Sequence, residues 1–202
     1  GPHSTAPCTV ACPTRVDIPK FIREIGAGKP VDAARTIFTQ NVLGGSCARV
    51  CPVEQLCEGS CVLEKEGRRA IQIGRLQRYA ADAAVAAHED VLGARARWTL
   101  GHAIGVVGSG PAGLACAAEL ARMGYPVTVY EAREDAGGLI SRGIAPYKQM
   151  VDPIPAEVEA IKALGVTFRF GVQVGRDITA EDLLGEHEAV FLGVGMGDDM
   201  PA

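Results

Sequence analysis

Apolar residues along this chain follow two different periods, and the change falls near residue 102. Before it, Ile18, Phe21, Ile22 and Ile25 recur at the three- and four-residue spacing of one helix face. Gly26 and Gly28 are expected to end that helix. A second helix is predicted over 31–40, with Ala34, Ile37 and Phe38 on one side, and an alanine-rich third over 71–89. The stretch 41–61 carries Gly44, Gly45, Pro52 and Gly59 and reads as loop. Residues 4–90 therefore read as an all-helical domain, and 91–102, which show no period, as a linker. Trp98 in that linker reads as an interface or core anchor.

After His102 short apolar runs take over. Residues 103–107 and 127–130 read as buried strands, 166–170 and 189–194 as further strands, and 111–123 and 155–164 as helices. Thr179-Ala-Glu-Asp182 resembles a capping box that opens one more short helix. Strands that alternate with helices argue for a parallel sheet with helices on its faces. The expected fold class is an α-helical cysteine-rich domain over 4–90, followed over 103–202 by an α/β Rossmann-like half-domain.

Composition narrows the function. The chain has 202 residues with 48% hydrophobic content, enough for two small cores and unlike a disordered segment. Its net charge is −4 with no basic tract, which argues against nucleic acid as a partner. No apolar run is long enough to span a bilayer and no secretory signal is visible, so a membrane partner is not expected and a cytoplasmic location is. The opening Gly1-Pro2-His3 looks like a protease-cleavage scar.

The first strand runs straight into Gly108-Ser109-Gly110-Pro111-Ala112-Gly113. Following a strand and opening a helix, these glycines read as a dinucleotide cradle. Gly108 permits the tight turn, Gly110 lets the backbone approach a pyrophosphate, and Gly113 lets helix and strand pack closely. The helix N-terminus adds unpaired N–H groups for the phosphates. Glu131, at the end of the next strand, can accept hydrogen bonds from an adenosine ribose and would repel a 2′-phosphate. Cys116 lies inside the first helix of this half and reads as a small buried apolar side chain.

Six of the seven cysteines fall between residues 8 and 61, as Cys8-x3-Cys12 and Cys47-x3-Cys51-x5-Cys57-x3-Cys61. In a reducing compartment clustered cysteines hold metal; a secreted disulfide module is the alternative. Proline follows Cys12 and Cys51, as is common around iron–sulfur clusters. Zinc is the inorganic rival, since thiolates suit either metal.

Several of these segments together resemble a known family. They are Pro7-Cys8-Thr-Val-Ala-Cys12-Pro13, Arg49-Val50-Cys51-Pro52, Leu56-Cys57-Glu58-Gly59-Ser60-Cys61 and Ile73-Gly74-Arg75-Leu76-Gln77-Arg78, joined to the glycine motif. The set resembles the N-terminal iron–sulfur and FAD module of the glutamate synthase small subunit and of dihydropyrimidine dehydrogenase. The resemblance implies 4Fe–4S clusters in a ferredoxin-like helical domain beside an FAD domain. Carried over by position, Cys12, Cys51 and Cys57 would bind one cluster with Gln77 as fourth ligand, and Cys8 and Cys61 would join another. In isolation Gln77 would read as a surface helix residue. Cys47 matches a non-ligand and reads as a buried thiol. Gly137, Gly138 and Leu139, with Pro111 and Ala112, resemble the flavin side of two-dinucleotide flavoproteins, which favours FAD over NAD.

The family pattern also has a Cys-x2-Cys pair upstream of Cys8, where this chain has only His3 at the second position. The cluster of Cys8 and Cys61 is therefore expected to be missing, degraded or completed by something else. The family inserts an NAD(P)H-binding domain after a strand corresponding to 189–194, and the chain reads as cut short before it. The resemblance implies the electron-transfer portion of an NAD(P)H-dependent oxidoreductase that passes electrons from FAD through clusters to a catalytic partner subunit or domain. That partner would be a glutamate synthase large subunit or a pyrimidine-reducing subunit. No acid, base or nucleophile for substrate chemistry can be named here. The competing reading is a non-catalytic zinc- or nucleotide-binding assembly module.

Overall fold

The computed structural model describes residues 5–150 and 152–196. It divides into two compact units, Gly1–Leu92 and Gly93–Ala202.

The first unit is helical: α1 (Pro7–Ala11), α2 (Ile18–Gly26), α3 (Pro30–Gln40), α4 (Gly44–Val50), α5 (Val62–Lys65) and α6 (Ile73–Ala86). Asp17 caps α2, its carboxylate accepting from the Lys20 N–H at 3.1 Å. Proline opens α1, α2 and α3 within their first two positions, where a missing N–H costs nothing. The predicted faces are buried: Ile18 and Phe21 from α2, and Ala33, Ala34, Ile37 and Phe38 from α3. They meet Ile73, Ala80, Ala81 and Ala84 of α6, which packs on both α3 and α4. Alanine at those positions lets the helix axes approach. Each large apolar side chain so buried stabilises the unit by roughly 1.5–3 kcal/mol.

The loop expected over 41–61 is overturned at its centre, where residues 44–50 form α4. Gly44 lies inside a helix for a packing reason, since a Cβ there would stand 2.8 Å from Ile37 Cγ2. The absent side chain lets α4 seat against α3, and tertiary packing outweighs the local propensity.

The second unit alternates β1 (Ile104–Val107), α7 (Pro111–Arg122), β2 (Val127–Glu131), α8 (Leu139–Arg142), α9 (Ile154–Ala163), β3 (Thr167–Phe170), α10 (Ala180–Glu186) and β4 (Ala189–Leu192). The sheet is parallel, in the order β3-β2-β1-β4. Chain order therefore reverses direction beside β1. In open α/β sheets such a reversal places a crevice at the carboxyl ends of the strands. Leu114, Ala117, Ala118 and Ala121 of α7 are buried, and α7 packs on β1, β2, β4 and α9. Val107, Tyr130 and Leu183 form a further apolar cluster together with Val172, Val174, Ile178 and Val190. Thr179 and Asp182 make the expected capping box at α10. The segment before β1 is irregular, and the Leu100 N–H donates to the Gly124 carbonyl at 2.8 Å. Trp98 lies against Gly124 yet remains 63% exposed, so it is no core anchor.

Candidate functional site

Two sites take shape, one in each unit. In the first, short helices and their ends position the cysteines. Cys8 lies in α1 and Cys12 is its C-cap, with the Cys12 N–H on the Cys8 carbonyl at 3.1 Å. Cys51 is the C-cap of α4, and Cys61 is the N-cap of α5. Between Cys51 and Cys61 the chain folds tightly on itself. The Val53 carbonyl accepts from the Glu58 N–H at 2.8 Å, and a Cβ on Gly59 would stand 2.1 Å from the Glu54 carbonyl oxygen. Glu58 then accepts from the Gly74 N–H at 2.9 Å, which ties this turn to the start of α6. Arg49, with its side chain only 10% exposed, ion-pairs with Asp82 at 2.6 Å and fixes α4 on α6.

The thiols sense one another. A side-chain hydrogen bond with Cys47 pushes the Cys51 thiol upward. Burial and the neighbouring sulfurs of Cys47, Cys57 and Cys12 act in the same direction. Burial pushes Cys57 up to about 11, with Glu58 and Cys12 adding to it. Cys8 is raised by burial, and Cys61 is the like charge nearest in effect. Cys12 thus lies within electrostatic reach of Cys51 and Cys57, and Cys61 within reach of Cys8. Like charges crowded in a half-buried place resist ionisation, and a cationic core would reverse that. This donor set fits an iron–sulfur cluster. Among the described residues no three His, Cys, Asp or Glu side chains gather about a single-ion site. Cys47 is half-buried rather than buried. His3 lies outside the described residues.

Gln77 is not a surface residue. It is 8% exposed, and its Nε2 donates to the Gly44 carbonyl at 2.9 Å. That bond orients the amide and leaves Oε1, the atom able to ligate iron, on the opposite branch.

In the second unit the glycine motif forms the turn between β1 and α7. Gly108 has φ +92°, and a Cβ there would stand 2.4 Å from the Gly193 carbonyl oxygen. A Cβ on Gly113 would lie 1.9 Å from the Gly108 carbonyl oxygen, so α7 enters directly on the turn. Gly110 differs: nothing lies within 4 Å of the position its Cβ would take. That open face is where a pyrophosphate would come against the backbone, at the N-terminus of α7 that Pro111 and Ala112 begin. Gly137 and Gly138 dock onto the same turn. The Gly137 N–H donates to the Ser109 carbonyl at 2.9 Å, and a Cβ on Gly138 would stand 2.9 Å from Gly110 Cα. Leu139 follows at the start of α8 and is 59% exposed.

Glu131 is buried, and three donors fill part of its carboxylate. Ser109 gives its N–H and hydroxyl to Oε2 at 2.8 and 2.6 Å, and the Arg133 N–H reaches Oε1 at 2.9 Å. An ionised carboxylate has about four acceptor sites, which leaves room for a ribose hydroxyl. The residues therefore fit a dinucleotide. Ser109, fully buried, and Gly193 are parts of the site that the sequence does not single out. Both belong to the turn through contacts that no spacing rule encodes. Cys116 is half-buried, not buried, and burial raises its thiol.

A glycine turn at the reversal of a parallel sheet, and a thiol-rich helical unit on the same chain, define a dinucleotide-binding domain joined to an iron–sulfur domain. Residues 3–89 match the family described as dihydropyrimidine dehydrogenase domain II, 4Fe-4S cluster. Residues 106–156 match the NAD(P)-binding Rossmann-like domain family. The NAD-dependent dihydropyrimidine dehydrogenase subunit PreT of Escherichia coli K12 is 39% identical over 97% of this chain and 47% of its own length. The glutamate synthase [NADPH] small chain of the same strain is 36% identical over 96% of this chain and 40% of its own. Two segments of the chain match these two domain families, and nearly its whole length is similar to these oxidoreductase subunits, as its cysteine and glycine motifs indicated. The chain spans less than half the length of either relative. A solved amine oxidase from Pseudomonas geniculata aligns at a TM-score of 0.40 and 18% identity over 94% of this chain and 24% of its own, too little to carry an argument. No helix among the described residues is long and apolar enough to cross a membrane.

Proposed function

We propose that this chain is the electron-relay portion of an NAD(P)H-dependent oxidoreductase, holding FAD in its second unit and a 4Fe–4S cluster in its first. The observation that carries the reading is that Cys12 lies within electrostatic reach of Cys51 and Cys57, on a chain that also builds an open glycine turn. A flavin handles electrons singly or in pairs and a cluster handles them singly, so together they convert a hydride into single electrons. In this reading Cys12, Cys51, Cys57 and Gln77 hold the cluster, while Cys8 and Cys61 contribute to a second metal position. Gly108, Gly110, Pro111, Ala112 and Gly113 cradle the pyrophosphate, and Glu131 holds the ribose. Gly137, Gly138 and Leu139 flank the flavin side. FAD is favoured over NAD(P) because Gly137-Gly138 closes onto Gly110, an arrangement that fits the flavoprotein resemblance of this motif.

The names of the relatives suggest the setting. One is a dihydropyrimidine dehydrogenase subunit and the other a glutamate synthase small chain, so electrons would leave this chain for a catalytic partner subunit that carries the substrate chemistry. The buried Gln77 matches the ligand position of the pyrimidine-reducing branch and leans the reading toward it. A cytoplasmic location accords with the reading of the clustered cysteines as metal ligands, which a reducing compartment favours over a disulfide framework.

Anaerobic purification followed by iron, sulfide and flavin analysis tests the proposal. The expected protein is brown-yellow, with broad visible absorption bleached by dithionite and extractable FAD. A colourless protein that contains zinc and no iron would refute it in favour of the assembly-module reading.

A further inference from the structure

Two residues bracket β4, the edge strand of the order β3-β2-β1-β4. Gly193, just past it, closes on the glycine turn. Its N–H donates to the Val107 carbonyl at 2.8 Å, and its carbonyl oxygen lies 2.4 Å from where a Cβ of Gly108 would stand. His187, just before β4, is the C-cap of α10. Its ring lies over Gly105 of β1, and its Nε2 is 2.9 Å from the hydroxyl of Tyr130 in β2. His187 is 9% exposed, and its Nδ1 is buried without a partner among the described residues.

The protons of this cluster can be counted. The Tyr130 hydroxyl donates to Glu186 Oε2 at 3.1 Å. A carboxylate only accepts, so the single hydroxyl proton is committed there and the Tyr130 oxygen is left to accept from His187. Nε2 therefore carries the hydrogen of the neutral ring, and the buried Nδ1 carries a lone pair. Glu186 of α10 and Arg169 of β3 are the charged groups that act on the ring, and they meet each other at 3.8 Å. Glu188, next in the chain, turns instead to His102 at 3.3 Å. A second proton, on Nδ1, would be a buried donor and part of a buried charge with no acceptor, which is costly. Water supplies the missing acceptor once the start of β4 comes away from the sheet.

We propose that His187 is a positioning residue for the dinucleotide cradle: as the neutral Nε2–H tautomer it pins the start of β4 to Tyr130, and protonation at Nδ1 frees the strand, withdraws Gly193 from Gly108 and lowers dinucleotide affinity. This rests on the reading of the glycine turn as that cradle. The two ends of β4 are coupled because the strand is four residues long and its ladder on β1 runs unbroken from Ile104–Ala189 to Val107–Leu192. Burial acts in the same sense by lowering the pKa of the ring, so the pin is complete above about pH 6.5 and fails as pH falls below it. One linked proton limits the loss of affinity to about tenfold per pH unit.

The test titrates FAD into the full chain between pH 7.5 and 5.5, as the parent, His187→Gln and His102→Gln. The parent is expected to lose affinity with acid, His187→Gln to stay nearly level, and His102→Gln to follow the parent. Hydrogen exchange of the parent, corrected for the intrinsic pH dependence, needs no variant. Residues 188–194 are expected to lose protection at pH 5.5 while 127–131 keep theirs. A parent with level affinity overturns the inference, as does His187→Gln falling like the parent or a level His102→Gln. Loss of protection in both segments together also overturns it, because acid would then unfold the unit rather than free β4. A parent that takes up no FAD at pH 7.5 refutes the cradle reading, and this inference falls with it.

Discussion

Ser109 gives both its backbone N–H and its hydroxyl to a single carboxylate oxygen of Glu131, at 2.8 and 2.6 Å. This pair of hydrogen bonds ties the glycine turn after β1 to the end of β2, so the acid expected to hold a ribose is oriented before any ligand arrives. A hydrogen bond to a charged acceptor contributes about 1.5–3 kcal/mol. Ser109→Ala removes one such bond and leaves the two N–H donors. The expected loss is about 1.5 kcal/mol of stability, with weaker flavin binding, measured by urea unfolding and flavin titration. An alanine variant equal to the parent in both would deny Ser109 its orienting role.

Gly110 and Gly113 separate a ligand effect from a folding effect. Space is open around a Cβ at Gly110, whose φ of −71° any residue can adopt. Gly110→Val should therefore fold with near-parent stability and lose flavin affinity, because its side chain occupies the approach to the pyrophosphate. At Gly113 a Cβ would strike the Gly108 carbonyl at 1.9 Å, so Gly113→Ala should cost several kcal/mol, on the order of other overpacked cores, without any ligand present. Circular-dichroism melts paired with flavin titrations read both arms. Unchanged flavin affinity in Gly110→Val defeats the cradle assignment.

Cys57 and Cys116 make a similar contrast for metal. Cys57 is buried near Cys12 and Cys51, whereas Cys116 lies in α7 of the other unit. Cys57→Ala should lower the iron content of the anaerobically reconstituted chain by at least half, and Cys116→Ala should leave it unchanged. Parent-level iron in Cys57→Ala would show the ligand set to be wrong.

The second unit is the more legible in sequence, because buried parallel strands write themselves as short apolar runs and the glycine turn has a spacing of its own. The first unit shows what single residues conceal. Gly44 and Gly45 carry the composition of a loop, yet they sit in a helix because α3 leaves no room for a side chain at Gly44. Gln77 looks like any polar residue on an amphipathic helix. Only the packing of α6 on α4 buries it and turns its amide toward Gly44. Ser109 occupies a variable position of the glycine motif, and its bond to Glu131 spans 22 residues. Local pattern shows where elements run; it cannot show which side chains two elements press together.

His187 predicts a pH dependence that none of those motifs announces. Its ring covers Gly105 of β1, where a Cβ would stand 2.8 Å from Cδ2. Nε2 lies 2.9 Å from the Tyr130 hydroxyl, and Nδ1 is buried without a partner among the described residues. Burial lowers the pKa of His187; Glu186 opposes that shift and Arg169 adds to it. The folded value thus lies below the unfolded value of about 6.5, and between the two the unfolded chain binds more protons. Stability contributed by the neutral ring is present above about pH 6.5 and is lost as pH falls toward the folded pKa. His187→Gln removes the titration while keeping a polar partner for Tyr130. Urea unfolding of the second unit between pH 7.5 and 5 should show a steeper loss for the parent than for the variant. Parallel pH profiles would mean that the imidazole titrates alike in the folded and unfolded states, with no burial shift.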